Sequence, residues 1–249
     1  MTRIAEIADA ALWIGKEMME SGADSSSVEE AMLSFLCAKG FENVGILVLP
    51  KSVLVTLSHQ GGFHTKMKHI DDVTPNFERL SMITQYASRP TSEFSDFKAS
   101  VLQKAPPFES LSYFAVPVGC AAFGMLLGCD IYGALAVFLA AYFAFIVKSR
   151  IVRLGVSMMF VNLVCAFLAT MGAYLFSRAF GVEELGFAQA ASTFFLIPGI
   201  QLINTFEDML KGHYLNGAAR GLRAMFLSFG IVFGTTLAIV AERSFAWIF

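Results

Sequence analysis

Four polar residues in the last third of the chain share one helical stripe. Gln201, Asn204, Thr205 and Asp208 stand at offsets of 0, 3, 4 and 7, the spacing that places side chains on a single face. They follow Pro198-Gly199. Proline removes a backbone donor and crowds the turn before it, and glycine accepts the resulting bend. The surrounding stretch is apolar, so freed backbone groups must be satisfied by protein or must line a water-filled cavity. Transporters commonly build their sites at such discontinuous helices. Donors exposed beyond the break suit a carboxylate. Lys211 suits attraction of that anion, and Asp208 suits positioning Lys211 or carrying a proton. Glu207 forms an i,i+4 pair with Lys211 but lies off the stripe and reads as an ordinary helix-end charge. Asn162, inside another apolar stretch, fits a helix–helix hydrogen bond as well as a ligand contact.

Other reactive types carry less. His59, His64 and His69 alternate with strand residues, and the hairpin brings His59 and His64 near each other. No fourth ligand with metal spacing accompanies them, so they read as surface histidines. Asp24, Ser25 and Ser27 follow Gly22 and read as helix-capping residues rather than a nucleophile. Cys37, Cys120, Cys129 and Cys165 show no metal spacing and read as small buried hydrophobes. There is no glycine-rich phosphate loop and no paired catalytic constellation. The expectation is a non-enzyme without cofactor or metal.

The stripe belongs to one of five apolar stretches, Leu111–Leu127, Ile131–Val147, Val156–Phe176, Leu185–Phe206 and Leu222–Ala241. Each is about long enough to cross a bilayer core of ~30 Å. Mean hydropathy is +0.62 and only 15% of residues are charged, against about 25% in soluble domains. Residues 1–110 hold 10 Lys/Arg and 14 Asp/Glu, and residues 111–249 hold 8 and 6. The first part is therefore soluble and mildly acidic, which argues against nucleic acid. Met1–Glu20 carries six charges and lacks the apolar core of a cleavable signal. Basic residues gather between spans two and three (Lys148, Arg150, Arg153) and between four and five (Lys211, Arg220, Arg223). Spans one and two are joined through Asp130 alone, and three and four through Arg178, Glu183 and Glu184. Positive charge marks the cytoplasmic side. This places the N-terminus inside and the C-terminus outside, with Trp247 as an outer anchor. Pro117 is a candidate second break, and Gly124 with Gly128 a small-xxx-small packing pair.

Residues 1–105 read as an α+β domain of order ααβββαα, and residues 106–249 as five transmembrane helices, one broken at Pro-Gly. Helices fall at 2–21 and 26–38, the second opened by a Ser26–Glu29 capping box. Strands fall at 44–49, 52–58 and 63–69, with Val53, Val55 and Leu57 on one face and Gln60-Gly61-Gly62 as a turn. Helical spacing returns at 75–87 and 92–103. Ala105-Pro106-Pro107 forms a stiff junction.

Two segments carry a resemblance. Gly22-Ala23-Asp24-Ser25 with Val28-Glu29-Glu30, and Pro198-Gly199, Leu202-Ile203-Asn204, Asp208-Met209, Lys211-Gly212-His213 with Gly217, resemble the threonine/serine exporter family over nearly the whole chain. The resemblance implies a secondary exporter of small polar carboxylates in a bacterial inner membrane. Its substrate would be succinate-like in one branch and threonine or serine in another. Single-chain members have ten spans, and split members pair a chain like this with a shorter five-span subunit. The physical reading agrees: five spans make half a pathway, so the other half is a short partner subunit or a second copy in a homo-oligomer, both in the lipid bilayer. The alternative is a membrane-anchored sensor whose soluble domain binds a ligand or partner. Five spans with a polar break exceed what an anchor needs.

Overall fold

The computed structural model describes residues 2–59, 62–71, 73–90, 93–103, 109–182 and 185–246. Its elements are α1 (Thr2–Glu20), α2 (Ser25–Ala38), β1 (Val44–Leu49), β2 (Ser52–His59), β3 (Gly62–His69), α3 (Phe77–Ser88), α4 (Phe94–Gln103), α5 (Glu109–Leu127), α6 (Ile131–Val152), α7 (Met158–Phe180), α8 (Leu185–Ser192), α9 (Gly199–Leu210) and α10 (Tyr214–Ala246). The first seven come in the order expected. Gln60, Gly61, residues 105–107, Glu183, Glu184 and Trp247 lie outside the described residues.

Two compact units result. The first joins Met1–Pro107 to Gly199–Leu222, and the second joins Phe108–Pro198 to Arg223–Phe249. The boundary read from hydropathy falls at residue 105, whereas the first unit also takes in α9 and the start of α10.

In the first unit, three antiparallel strands lie in the order β1-β2-β3. Alternation aims Val53, Val55 and Leu57 at the core, where all three are fully buried. Trp13, Ile14 and Met18 of α1 and Val28, Met32 and Phe35 of α2 fill the same core. His59 pairs with Gly62 and His64 with Leu57, so the two histidines are not direct cross-strand partners. Among the described residues, no three of His, Cys, Asp and Glu gather as a metal site. Helix α2 starts at Ser25, capped by Asp24 rather than through a Ser26 box; the Asp24 carboxylate accepts the Ser27 N–H. Cys37 is exposed, unlike Cys120, Cys129 and Cys165, because it falls on the outer face of α2.

Among the described residues, α6, α7 and α10 are long and apolar enough to cross a membrane, and Leu185–Leu196 with Gly199–Leu210 forms one bent pair that qualifies as a broken span or a re-entrant loop. That gives three spans, or four, where five were expected; Leu111–Leu127 is a shorter apolar helix. Helix α5 runs through Pro117 without a break. The basic residues Lys148 and Arg150 lie on α6, and Arg220 and Arg223 on α10, rather than in loops. Asp130 caps α6, accepting the Gly133 N–H at 2.8 Å. The interruption of the fourth stretch begins before Pro198. Ser192 and Thr193 hydroxyls donate back to the Gln189 and Ala190 carbonyls at 2.8 and 3.0 Å, and a 3-10 turn spans Phe194–Leu196. These hydroxyls compete with the helical ladder, and proline then supplies no donor.

Gly124 packs within its unit, a Cβ there lying 3.3 Å from the Ala191 Cβ, but Gly128 ends α5 with φ +114. The close helix contact lies elsewhere. Gly230 and Gly234 of α10 press on α7, where a Cβ would overlap the Met159 and Leu163 carbonyl oxygens. Asn162 belongs to this crossing: it is 4% exposed, and its amide donates to the Leu227 carbonyl at 3.3 Å. Of its two sequence readings, this geometry realises the helix–helix bond.

Candidate functional site

The two motifs that the sequence holds far apart meet in the first unit. Helix α1 ends at Glu20, and Gly22 turns the chain with φ +95, a conformation open to glycine. Ala23 and the cap Asp24 lead into α2. Each of the four residues of this turn is held by a side chain from α9, from α10 or from the link between them. The Asn204 amide donates to the Gly22 carbonyl at 2.8 Å. The Arg220 guanidinium donates to the Ala23 carbonyl at 2.8 Å. Lys211 Nζ donates to Asp24 Oδ1 at 3.1 Å. Asp208 Oδ1 accepts the Ser25 N–H at 2.8 Å, one of the orphan donors of a helix start. The Asn216 amide donates to Ser25 Oγ at 2.7 Å and to the Val48 carbonyl at 2.9 Å.

The presenting helices are built for close approach. Gly212, with φ +86, ends α9, while His213 N–H reaches back to the Asp208 carbonyl and Gly212 N–H to Met209. This is a Schellman end. Gly217 and Gly221 then let α10 fold against α9, since a Cβ at Gly217 would sit 2.9 Å from Met209 Cγ and one at Gly221 3.1 Å from Thr205 Cγ2. The Thr205 hydroxyl bonds back to the Gln201 carbonyl.

Burial sets the electrostatics. Asp208 is fully buried and its Oδ2 lies 3.2 Å from Arg220 Nε. The approach is an ion pair without hydrogen-bond geometry, and Oδ2 accepts no hydrogen bond. Burial works to raise the Asp24 carboxyl, but hydrogen bonds from Ser27 and Lys211 hold it below its ordinary value. The hydrogen bond to Asp24 in turn raises Lys211. Two acids face two bases, so the cluster is balanced in formal charge. The Ser27 hydroxyl donates to the Asp24 carboxylate as part of the helix cap. The cluster's chemistry is that of a latch fixing α9 and α10 to the α1–α2 turn.

Of the residues singled out in the sequence, Asn204, Asp208 and Lys211 gather here. Asp208 is partnered by Arg220 and not by Lys211, which instead binds Asp24 and, at 3.5 Å, Glu207. Gln201 and Thr205 lie on the same helix outside the cluster. Pro198 and Gly199 stand where the chain passes from one unit to the other, and Asn162 is in the second unit. Sequence reasoning missed Asn216 and Arg220 because their segment read as a charged loop. Their i,i+4 spacing was the available signal.

Three helices and one bent pair long and apolar enough to cross a membrane define a multi-pass membrane protein. Residues 9–241 match the ThrE family, described as "Putative threonine/serine exporter". The chain belongs to this exporter family and is a transport protein, not an enzyme. A "Probable succinate transporter subunit YjjP" of Klebsiella aerogenes is 25% identical over 237 residues, 92% of each chain. The subunit of the same name in Escherichia coli K12 is 24% identical over 241 residues, 94% of each. A "Threonine/serine exporter" of Corynebacterium glutamicum is 22% identical over 254 residues, 96% of this chain and 52% of its own length. No solved structure matches.

Proposed function

We propose that this chain is one half of a two-part exporter of small polar carboxylates in a bacterial inner membrane. The observation that carries this is the match, over nearly the whole chain, to relatives named as transporter subunits. The chain covers nearly all of two relatives named as succinate transporter subunits, and about half of one named as a threonine/serine exporter. A five-span membrane part fits such a half, the other half coming from a short five-span subunit or a second copy. The substrate class is a succinate-like dicarboxylate or threonine/serine, and the driving force is an ion or substrate gradient.

The transport segment is the broken stretch. Pro198 and Gly199 open it, and Gln201, Asn204, Thr205 and Asp208 line one face of α9. Asn204, Asp208 and Lys211 act by holding α9 in place. Gln201, which makes no side-chain hydrogen bond among the described residues, is the stripe member free to meet substrate. Asn162 acts as a packing residue at its helix crossing.

Efflux from cells lacking other family members tests the two-part reading. With this chain alone, succinate, threonine and serine should stay at background export; co-expression of a short five-span relative should raise one of them. Robust flux from a demonstrated monomer overturns the proposal, and flux from a homo-oligomer removes only the second gene product. We also propose a cytoplasmic N-terminus and an outward C-terminus, from the basic residues Lys148, Arg150 and Arg153. In a cysteine-free background, labelling of Ser149→Cys by an impermeant thiol reagent in intact cells contradicts it.

A further inference from the structure

The first unit carries a cavity of about 580 Å³, open to solvent, between α1, the end of α2 and the start of α4. That volume is within the usual ~300–1,000 Å³ of ligand sites. Its apolar lining includes Phe35, which is buried, and Phe94. Phe94 lies edge-on to Trp13 with ring centroids 5.5 Å apart, and its centroid is 6.4 Å from that of Phe35. Four charges line the same space, Glu6 and Glu93 against Lys39 and Lys98.

These charges do not neutralise one another. Among the described residues none of the four makes an ion pair. Each lysine instead lies over an aromatic ring, Lys39 5.6 Å from the Phe35 centroid and Lys98 5.9 Å from that of Trp13. The cations are parked on π faces, and the carboxylates stay open. A ligand that matches this lining needs a carboxylate for the lysines, an ammonium for the glutamates and hydrocarbon for the rings. A dicarboxylate would satisfy the lysines but face two glutamates, and a simple amine would meet the converse conflict.

We propose that this cavity is a binding site for an apolar α-amino acid in its zwitterionic form. It would give the soluble unit a ligand of its own, bridging α1, α2 and α4.

Trp13 is a built-in reporter, since the chain has 2 tryptophans and Trp247→Phe leaves it the sole indole. The full chain in detergent would be titrated with L-leucine, with leucinamide, which lacks the carboxylate, and with 4-methylpentanoate, which lacks the ammonium. Leucine should change Trp13 emission saturably, and each analogue should bind weaker by about tenfold or more, the scale of one lost charge-assisted contact. Calorimetry should show a similar loss for Lys39→Gln with Lys98→Gln and for Glu6→Gln with Glu93→Gln, at unchanged circular dichroism. If a double variant misfolds, the analogue series on the otherwise native chain decides alone. Equal binding of 4-methylpentanoate and leucine would reduce the cavity to an anion site and overturn the proposal. So would the absence of saturable leucine binding, or undiminished binding in both folded double variants.

Discussion

Asp208→Leu should unfold the latch, and a second substitution, Arg220→Met, should restore much of what the first removes. The wild-type carboxylate is fully buried, and its partner's side chain is 17% exposed. Removing one member of a buried pair typically costs about 3–5 kcal/mol, because the other charge stays behind without a partner. The partial exposure of Arg220 places Asp208→Leu toward the low end. Arg220→Met alone should be at least as damaging, since it strands an acid with no access to water. Asp208→Leu also orphans the Ser25 N–H, a loss of about 1–3 kcal/mol that the double variant does not recover. Denaturant or thermal unfolding of the four proteins forms a double-mutant cycle. The expected signature is strong non-additivity in stability, with export reduced in both single variants at matched membrane levels. Strict additivity would show that the pair contributes nothing as a pair. Lys211→Met serves as a milder contrast: its side chain is 40% exposed, and Asp24, itself 9% exposed, keeps its hydrogen bonds from Ser27, so the loss should be about 1 kcal/mol.

The parts of this molecule that were legible in its sequence are those fixed by local periodicity. Val53, Val55 and Leu57 alternate, and they lie buried as alternation demands. The stripe Asn204 and Asp208 was visible because a helical period makes it so, and both residues are buried polar groups. What they bury against was not visible. Their partners Gly22 and Ser25 are 182 and 183 residues away, and no local pattern reports a contact at that separation. Packing groups residues differently from hydropathy, since Gly199–Leu222 clusters with Met1–Pro107. The basic residues of α6 and α10 were read as loop residues because charge interrupts an apolar run, although charge does not interrupt a helix. Arg220 illustrates the cost of that reading: counted as a loop charge, it is the ion-pair partner of the most buried acid in the latch.

Gly234→Leu should be the most damaging single change in the second unit, with Gly230→Leu close behind. Association of helices in lipid lacks a hydrophobic drive, because the tails are as apolar as leucine. Close backbone approach and interhelical hydrogen bonds supply it instead. Gly230 and Gly234 stand one turn apart on α10 and lay its backbone on that of α7. A Cβ at Gly234 would overlap the Leu163 carbonyl oxygen and lie 2.9 Å from the Ala166 Cβ. The obstacle is largely backbone, so no rotamer change relieves it. Even alanine must push the helices apart, at the cost of about 1–3 kcal/mol usual for overpacking, and leucine must do more. The same displacement would stretch the bond from Asn162 to the Leu227 carbonyl, already 3.3 Å long. Gly119→Leu is the matched control, since nothing lies within 4 Å of a Cβ there. Thermal melting followed by size-exclusion chromatography in detergent should show Gly234→Leu losing the monodisperse species at a lower temperature than wild type. Gly234→Ala should lie between them, and Gly119→Leu should melt like wild type. A wild-type melting profile for Gly234→Leu would mean that the α7–α10 crossing is not held by these glycines, and the contact would then have to be sustained by the Asn162 bond alone.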